Sequence, residues 1–282
     1  LFAAERLARV PAAYAFQVQK WSWPYDLAAL YPLTATVPAG AILLGVVVIG
    51  ALIALGVALR RKAPAVTAGV TWFLLGLLPV SGIVTVGIAH LADRFGYVPG
   101  IGLAIALVFG LAAFARDRGA LAPGLTAAGV VVVIVLALTT RPVLARWENT
   151  ETLFRHVIET TGGNGYAYNY LGGWLGKEGR DEQALPFLRR AVEMDPNLDH
   201  AHTNLAQVML NLGDVQGALR HSERAVRLAP NRMKVQLARG NALLMAEQFT
   251  AAERAFERAI RLDPTAWRPY YNLGQLYMVQ GD

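Results

Sequence analysis

The sequence predicts an all-α protein in which a polytopic bundle of transmembrane helices is followed by an α-solenoid. Two observations predict this. Long stretches without Asp, Glu, Lys or Arg follow one another in the first half, and each could cross about 30 Å of hydrocarbon as a helix that rises about 1.5 Å per residue. In the second half, prolines recur every 34 residues, at Pro196, Pro230 and Pro264, which is the period of a stacked helix pair.

Charge divides the chain at the same place. Residues 1–146 contain 11 Lys and Arg against 4 Asp and Glu, whereas residues 147–282 contain 15 against 16. Basic residues at helix ends suit anionic headgroups, so membrane lipid is an expected partner of the first part. A nucleic-acid partner would need a basic patch on the second part, which is near neutral, so none is expected.

The first part, residues 1–146, is predicted to be a membrane domain. Residues 4–20 favour a short amphipathic or partly inserted helix, and the aromatic residues of 21–32 favour the headgroup level. About four transmembrane helices are then predicted, at residues 40–59, 63–89, 95–115 and 119–140. Pro79 lies inside the second of them and predicts a packing kink.

The basic residues between the spans predict an orientation. Arg60, Arg61, Lys62, Arg116 and Arg118 fall on one face of the membrane, against four basic residues near the span ends on the other face. Because Lys and Arg favour cytoplasmic loops, the first face is expected to be cytoplasmic. The second part of the chain would then lie on the extracytoplasmic side.

The short loop between the second and third spans carries two charged residues. Asp93 and Arg94 lie at the mouth of two helices, with Tyr97 close by in sequence. Such charges pair with one another or contact a substrate in a cavity. They are equally explained as solvated interfacial anchors, with Tyr97 in the aromatic belt.

The second part, residues 147–282, has the pattern of tetratricopeptide repeats (TPRs). Counted from Gly165, small residues recur at positions 8, 20 and 27 of each 34-residue unit, and large residues at most of positions 4, 7, 11 and 24; the second unit has Ser222 at position 24, and the third departs early with Gln236 and Arg239. Small residues let helices approach, and large residues fill the space between them. The predicted segments are a degenerate half repeat at 147–164, full repeats at 165–198, 199–232 and 233–266, and a partial repeat at 267–282.

The first helices of the repeats are expected to present a groove. Asn side chains there can bond a peptide backbone as both donor and acceptor, so a protein or peptide is the expected groove partner. An ordinary solvated helix face explains the same residues. The groove candidates are Tyr166, Asn169, Thr203, Asn204, Gln207, Lys234, Asn241, Arg268, Tyr271 and Asn272.

Motifs of self-contained catalysis are missing from these 282 residues. The five His form no HExxH, and there is no phosphate-binding loop, GxGxxG or GxSxG. We therefore expect no metal site, no bound cofactor and no catalytic residue in this stretch. The chain begins at Leu1 and ends one helix into a repeat, so we expect it to be an excerpt of a longer protein.

Three segments in this order resemble one family. They are WPYDLAALYP at 23–32, LADRFGYVPGIGL at 91–103 and RWENTETLFRHVIETT at 146–161. They look like the C-terminal half of bacterial TPR-bearing GT-C membrane glycosyltransferases, which are related to protein O-mannosyltransferases and to the transmembrane-and-TPR O-mannosyltransferases. The resemblance implies a GT-C-like membrane domain in a multi-pass protein of the bacterial inner membrane.

The resemblance also implies an activity. Such enzymes transfer a sugar from a polyprenyl-phosphate donor to an extracytoplasmic acceptor, and the family's catalytic acidic residue lies in a loop outside this sequence. Asp93, Arg94 and Tyr97 match the family's charged loop, which makes them candidates for holding the donor phosphate. The alternative is a membrane-anchored TPR scaffold that catalyses nothing.

Overall fold

The computed structural model describes residues 3–22, 27–28, 31, 37–81, 83, 93–116 and 122–281. All regular structure in these ranges is helical. The chain divides into two compact units, Leu1–Trp147 and Glu148–Asp282, and each is described by itself.

The described residues of the first unit form five α-helices. They are α1 Ala3–Ser22, α2 Ala39–Leu59, α3 Pro64–Leu77, α4 Tyr97–Ala115 and α5 Ala122–Arg146. Short 3-10 helices cover Leu78–Val80 and Asp93–Gly96. Among the described residues, three helical segments are long and apolar enough to cross a membrane: Ala39–Leu59, Tyr97–Ala115 and Pro123–Arg146.

The expected second span differs from the structure. The α-helix ends at Leu77 instead of running on to residue 89, and Pro64–Val80 is a shorter apolar helix. Pro79 accounts for the end, because proline has no N–H and disfavours helix at the residue before it. The N–H of Leu78 accordingly bonds the carbonyl of Leu75, three residues back. Residues 84–89 lie outside the described ranges.

Tyr14 of α1 compensates for this helix end. Its hydroxyl donates to the carbonyl of Leu74, the group that an uninterrupted helix would bond to Leu78. The Tyr14 ring also meets Phe73 edge-on, at 5.9 Å between centroids. The expected amphipathic helix at 4–20 is therefore present as α1, and the buried face of α1 packs against the end of α3.

Glycines set the spacing between helices in this unit. A Cβ at Gly69 would lie 2.4 Å from the carbonyl oxygen of Gly102, and one at Gly102 would lie 2.4 Å from the carbonyl oxygen of Gly69. A Cβ at Gly45 of α2 would lie 1.9 Å from the carbonyl oxygen of Pro11. The pairs α3–α4 and α1–α2 thus approach backbone to backbone, as close helix pairs in membranes do.

Helix α5 is more exposed than the rest of the first unit. It continues to Arg146, six residues past the expected end of the last span. Its valine-rich stretch, residues 130–138, is exposed along its whole length. An apolar surface of this kind is unfavourable in water and suits a hydrocarbon environment.

In its described residues, the second unit consists of eight helices: three pairs that form full repeats, with a single helix before them and another after them. They are α6 Thr150–Thr161, α7 Gly165–Lys177, α8 Asp181–Met194, α9 Asp199–Asn211, α10 Val215–Leu228, α11 Met233–Met245, α12 Phe249–Leu262 and α13 Trp267–Gln280. Helices α7, α9, α11 and α13 are the first helices of successive repeats and lie side by side.

Periodic small residues lie between the paired helices. Ala191, Ala225 and Ala259, at position 27, are completely buried. At position 8, a Cβ on Gly240 would lie 2.3 Å from Cε1 of Phe256, the residue at position 24 of the same repeat. The helix pairs therefore pack through the positions that the 34-residue pattern predicts.

Residues at position 4 share a hydrogen bond that the sequence does not reveal. Nε2 of His202 contacts the carbonyl of Pro196 at 3.1 Å, and Nε2 of Gln236 donates to the carbonyl of Pro230 at 2.7 Å. The hydroxyl of Tyr270 donates to the carbonyl of Pro264 at 3.2 Å. Three different side chains thus close the same turn between repeats.

Helix α6 begins three residues later than the expected start of the half repeat at residue 147. Asn149 caps it by accepting from the N–H of Thr152 at 2.9 Å. The helix joins the solenoid through Glu151, which pairs with Arg180 at 2.6 Å, and through Phe154, which stacks on Tyr170 at 5.0 Å. Arg180 and Arg155 hold the pKa of Glu151 below its usual value.

Candidate functional site

The first helices of the repeats line a groove of about 290 Å³. Six of the ten predicted groove residues line it: Thr203, Asn204, Gln207, Lys234, Asn241 and Arg268. They come from α9, α11 and α13, so three consecutive repeats contribute to one surface. The lining also includes Lys177 and Asn211, which the sequence analysis did not single out.

The other four predicted residues have different positions. Asn169 is buried and accepts a hydrogen bond from Asn204, and Asn272 donates to Asn241, so both support the lining. Tyr166 is half-buried against the turn before α9, and burial, followed by the charges of nearby carboxylates, raises its pKa. Tyr271 is exposed and contacts Trp267 edge-on at 6.0 Å.

The groove amides form a directed chain of hydrogen bonds. Nδ2 of Asn272 donates to Oδ1 of Asn241 at 2.6 Å, and Nδ2 of Asn241 donates to Oε1 of Gln207 at 3.4 Å. Nε2 of Gln207 then donates to Oδ1 of Asn211 at 3.0 Å. Nδ2 of Asn211 donates to both carboxylate oxygens of Asp181 at 3.1 Å, and the chain ends there.

This direction determines what the amides offer to a ligand. The oxygens of Asn241, Gln207 and Asn211 each already accept a hydrogen bond within the chain. Each amide nitrogen has two hydrogens and uses one acceptor group within the chain. Because each amide oxygen has a second lone pair, Asn241 and Gln207 each keep one N–H donor and one acceptor for a ligand, and Oδ1 of Asn204 lies beside them as a further acceptor.

The charges of the groove have one sign. Lys177, Lys234 and Arg268 line it, and no Asp or Glu does. Among the ion pairs of the described residues, none involves these three cations. The guanidinium of Arg268 lies 5.7 Å from the ring centroid of Trp267. Asp181, the carboxylate at the end of the amide chain, accepts hydrogen bonds from Asn211.

His200 lies at the edge of this positive region. Its Nε2 contacts Nη1 of Arg232 at 2.6 Å. Burial lowers the pKa of His200, and the charges of Arg232 and Lys234 lower it further, against the opposite effect of Asp199. We therefore treat His200 as neutral at pH 7, where it adds no charge to the groove.

Two glycines of α7 line the groove where side chains of α9 approach closely. A Cβ at Gly173 would lie 2.8 Å from Nδ2 of Asn204, and a Cβ at Gly176 would lie 2.9 Å from Cγ2 of Val208. Both glycines line the groove. Without side chains at these positions, Asn204 lies flat against α7 and reaches Asn169.

The candidates of the membrane loop lie at the start of α4. Asp93 and Arg94 belong to the 3-10 helix Asp93–Gly96, but their side chains are outside the described part of the structure. Tyr97 is the first residue of α4 and is exposed. Within the described residues, no group of three His, Cys, Asp or Glu is placed to hold a metal ion.

The helix pairs and their period define the second unit as a TPR domain. Residues 177–241 match one tetratricopeptide repeat family and residues 237–282 match a second, so this part of the chain contains TPR repeats, as the 34-residue pattern predicts.

A curated relative adds a narrower similarity. The chain is 28% identical over 144 residues to the protein O-mannosyl-transferase Tmtc3 of Drosophila melanogaster. The match covers 50% of this chain and 15% of Tmtc3, so the chain corresponds to a small part of that relative.

Similar helices occur in solved structures. MamA from Desulfovibrio magneticus RS-1 is 21% identical and covers 52% of this chain and 85% of its own, with a TM-score of 0.44. The first TPR of Spaghetti (RPAP3), solved with an HSP90 peptide, is 20% identical and covers 42% of this chain and 94% of its own, with a TM-score of 0.40.

Proposed function

We propose that the groove of the TPR domain binds an extended segment of another protein. The observation that carries this proposal is the row of amide N–H donors contributed by successive repeats. An extended backbone offers carbonyl acceptors at regular intervals, so several of these donors could be satisfied at once.

A peptide library tests this proposal. The full chain in nanodiscs is used to select random peptides of about ten residues, which span about 33 Å when extended. We expect the selected peptides to lose about tenfold or more in affinity for the Gln207→Ala/Asn241→Ala variant, because bound carbonyls lose their donors. Peptides that bind this variant as well as the parent chain would overturn the proposal.

We also propose that the chain is part of an integral-membrane glycosyltransferase that transfers a sugar from a polyprenyl phosphate to an extracytoplasmic acceptor. The similarity to Tmtc3 over half of the chain supports this. Three helices of sufficient length and apolar character support a membrane location. The TPR groove would then recruit the acceptor protein, and the catalytic acidic residue would be supplied outside these 282 residues.

Two measurements test the membrane proposal. We expect membranes that contain the full-length protein to transfer a labelled sugar from polyprenyl-phosphate mannose to protein. Absence of transfer by correctly inserted protein would contradict the activity.

A single Cys at the exposed Gln216 should react with a membrane-impermeant reagent in intact cells with a permeabilised outer membrane. Labelling only after lysis of the inner membrane would reverse the proposed orientation.

A second candidate function is a membrane-anchored scaffold without catalysis. The groove favours it, because the described part of the TPR domain forms a polar binding surface without any contribution from the membrane unit. For this candidate, we expect peptide binding to persist in a protein that transfers no sugar. The presence of two acidic residues in a loop after the first span of the full-length protein would favour the enzyme instead.

A further inference from the structure

We infer that the first unit holds one anionic phospholipid of the bilayer in a groove along α3, with the phosphate of the headgroup at Arg60. This inference rests on the proposed membrane location and adds a specific lipid site to it. The α3 groove has a volume of about 770 Å³, which is within the about 300–1,000 Å³ of ligand sites in proteins. One face of α3 forms most of its lining, with Arg60 at one end and Val98 of α4 at the other.

The length of the α3 groove matches one leaflet of a bilayer. Pro64, Ala68, Trp72 and Gly76 all line it and recur every four residues, so they share one face of the helix. At a rise of about 1.5 Å per residue, the distance from Pro64 to Gly76 is about 18 Å. Half of a hydrocarbon core of about 30 Å is about 15 Å. An acyl chain of a single leaflet could therefore lie along the whole groove.

The walls of the α3 groove are suited to an apolar chain. The indole N–H of Trp72 donates to the carbonyl of Val98 at 2.9 Å, and the hydroxyl of Thr67 donates to the carbonyl of Gly56 at 2.7 Å. Both donors are thus used within the protein. The Trp72 ring and the exposed Ala68 and Leu75 offer carbon atoms to a ligand. A polar ligand would leave its own donors and acceptors without partners along these walls.

Positive charge is concentrated at one end of the α3 groove. Among the described residues that line it, Arg60 alone is charged, and its side chain is exposed. The ion pairs of the described part of the chain do not include Arg60. Arg61 and Lys62 follow directly, and residues 27–92 contain no Asp or Glu. A guanidinium can bond two oxygens of a phosphate, so an anionic headgroup is complementary to this end.

The α3 groove places the phosphate away from the loop that is proposed to hold the sugar donor. A Cβ at Gly76 would lie 3.6 Å from Cα of Pro99, so the start of α4 lies beside the end of α3. The 3-10 helix Asp93–Gly96 precedes α4 and is therefore at the opposite end of α3 from Arg60. In the proposed orientation, Arg60 faces the cytoplasmic leaflet. The occupant is thus a phospholipid of that leaflet, and the polyprenyl-phosphate donor would bind at the other end.

Quenching of Trp72 fluorescence by brominated lipids tests this inference. The full chain is placed in phosphatidylcholine bilayers with increasing fractions of phosphatidylglycerol or phosphatidylcholine, each brominated on its acyl chains. The difference between the parent chain and Trp72→Phe gives the quenching of Trp72. We expect half-maximal quenching at an about fivefold lower fraction of brominated phosphatidylglycerol than of brominated phosphatidylcholine. Equal fractions would overturn the inference.

Two matched substitutions locate the charge. Arg60→Gln removes the cation of the α3 groove, and Arg116→Gln removes an exposed cation that follows α4 and does not line the groove. Both are at the same end of the helix pair, since a Cβ at Gly110 of α4 would lie 3.4 Å from Cγ2 of Val66. We expect Arg60→Gln to reduce the lipid preference to less than about twofold and Arg116→Gln to retain it. Equal effects would contradict the site, because they would indicate attraction to net charge alone.

A second pair of substitutions tests the groove itself. Ala68→Phe fills the space beside Trp72, whereas Ala54→Phe adds the same side chain at an exposed position of α2 outside the lining. We expect Ala68→Phe to abolish the preference for phosphatidylglycerol and Ala54→Phe to keep it. A preference that survives Ala68→Phe would place the lipid elsewhere and overturn the inference.

The outcomes separate the lipid site from the proposed membrane location. If neither brominated lipid quenches Trp72, both the membrane location of this helix and the lipid site are wrong. If the two lipids quench it equally, the unit lies in the bilayer and the specific site is wrong. Preferential quenching that depends on Arg60 and Ala68 but not on Arg116 and Ala54 is the expected result.

Discussion

The two units hold their helices together by different contacts. In the first unit, α3 and α4 meet at Gly69 and Gly102, where the backbones touch and a single Cβ would overlap a carbonyl oxygen. In the TPR domain, the contact is spread over small residues that recur in every repeat, with large side chains such as Phe256 packed between them. Neither arrangement depends on one residue type alone.

The proposed membrane location of the first unit would account for the difference. Helices in hydrocarbon gain little from burying apolar side chains, since lipid tails are equally apolar, so close backbone approach is important for their association. Helices in water gain stability from every large apolar side chain that they bury. A substitution at the backbone contact of the first unit should therefore cost more than one at an equivalent position of the solenoid.

The largest expected effect is at the α3–α4 contact. Gly102→Ala places a Cβ 2.4 Å from the carbonyl oxygen of Gly69 and 2.8 Å from the backbone nitrogen of Phe73. Because backbone atoms on both sides must move, we expect the free energy of unfolding to fall by about 3 kcal/mol or more. Unfolding of the full chain by SDS in mixed micelles, followed by Trp fluorescence, would measure it.

The control for this prediction is Gly50→Ala in α2. A Cβ at Gly50 has nothing within 4 Å, and the change should leave the unfolding midpoint unchanged or slightly higher. Equal midpoints for Gly102→Ala and Gly50→Ala would contradict the close approach of α3 and α4.

A smaller loss is expected in the solenoid from Gly240→Leu. Its Cβ would overlap the ring of Phe256, a side chain that can shift, so we expect a loss of about 1–3 kcal/mol. Ala225→Leu, at a completely buried position 27, should cost a similar amount. Gly274 is the matched control, because it has the same position 8 in the partial repeat and nothing within 4 Å of its Cβ. Thermal unfolding that responds equally to substitutions at 240 and 274 would mean that the repeat phase is wrong.

The next prediction concerns a pair of histidines in the second repeat. Nδ1 of His202 lies 2.9 Å from Nδ1 of His221; His202 is buried and His221 is partly buried. Burial, followed by the charge of His202, lowers the pKa of His221 to about 4, and burial also lowers the pKa of His202. The N–H···N bond needs one of these nitrogens unprotonated.

The sign of the resulting pH effect is defined. The unfolded chain protonates these residues near pH 6.5, whereas the folded domain resists protonation, so stability is full above about pH 6.5 and falls as the pH decreases toward about 4. We expect a loss of about 1–2 kcal/mol, after allowing for solvent screening of the half-exposed His221. Thermal unfolding at a series of pH values would measure it.

The third repeat supplies a control for this pH dependence. His202→Gln with His221→Ala copies Gln236 and Ala255, which occupy the same two positions there. Since Gln can keep the bond to the carbonyl of Pro196, the variant should remain folded and lose the additional pH dependence. A variant with the same pH dependence as the parent chain would show that other groups cause it.

The smallest effect on stability is expected at Arg94. It lies in the 3-10 helix before α4, outside the predicted spans, so Arg94→Ala should not reduce accumulation of the protein in membranes. Sugar transfer should fall with Arg94→Lys and fall further with Arg94→Ala, because Lys keeps the charge but cannot bond two phosphate oxygens side by side. Transfer by Arg94→Ala at the parental rate would leave Arg94 as an interfacial anchor only.

The repeats were predictable because their packing positions are small residues at fixed intervals, and the interval survives changes elsewhere. The end of the second span was not predicted, because Pro79 is compatible with either a kink or a helix end. At this helix end, the carbonyl of Leu74 accepts a hydrogen bond from Tyr14, 60 residues away in sequence. No local sequence pattern indicates that contact.

The groove was predicted in part. The groove candidates were chosen by their positions in the first helix of each repeat, and six candidates at positions 2, 5, 6 and 9 line the groove. Lys177 and Asn211 also line it, but they lie at position 13, which was not among the chosen positions. Gln236 looked like a departure from the pattern, yet it makes the same hydrogen bond as His202. The acceptor of that bond is a backbone carbonyl, a group that every residue has, so the sequence does not reveal the bond.

The amide chain from Asn272 to Asp181 has a consequence for how this domain can change over generations. Its members come from α13, α11, α9 and α8, and each one needs the group before it and the group after it. Gln207 and Asn241 occupy the same position of their repeats, so deleting the third repeat would set Asn272 beside Gln207, another amide that can accept its hydrogen bond. The number of repeats can therefore change while the row of hydrogen bonds is kept, and its length follows the length of the domain.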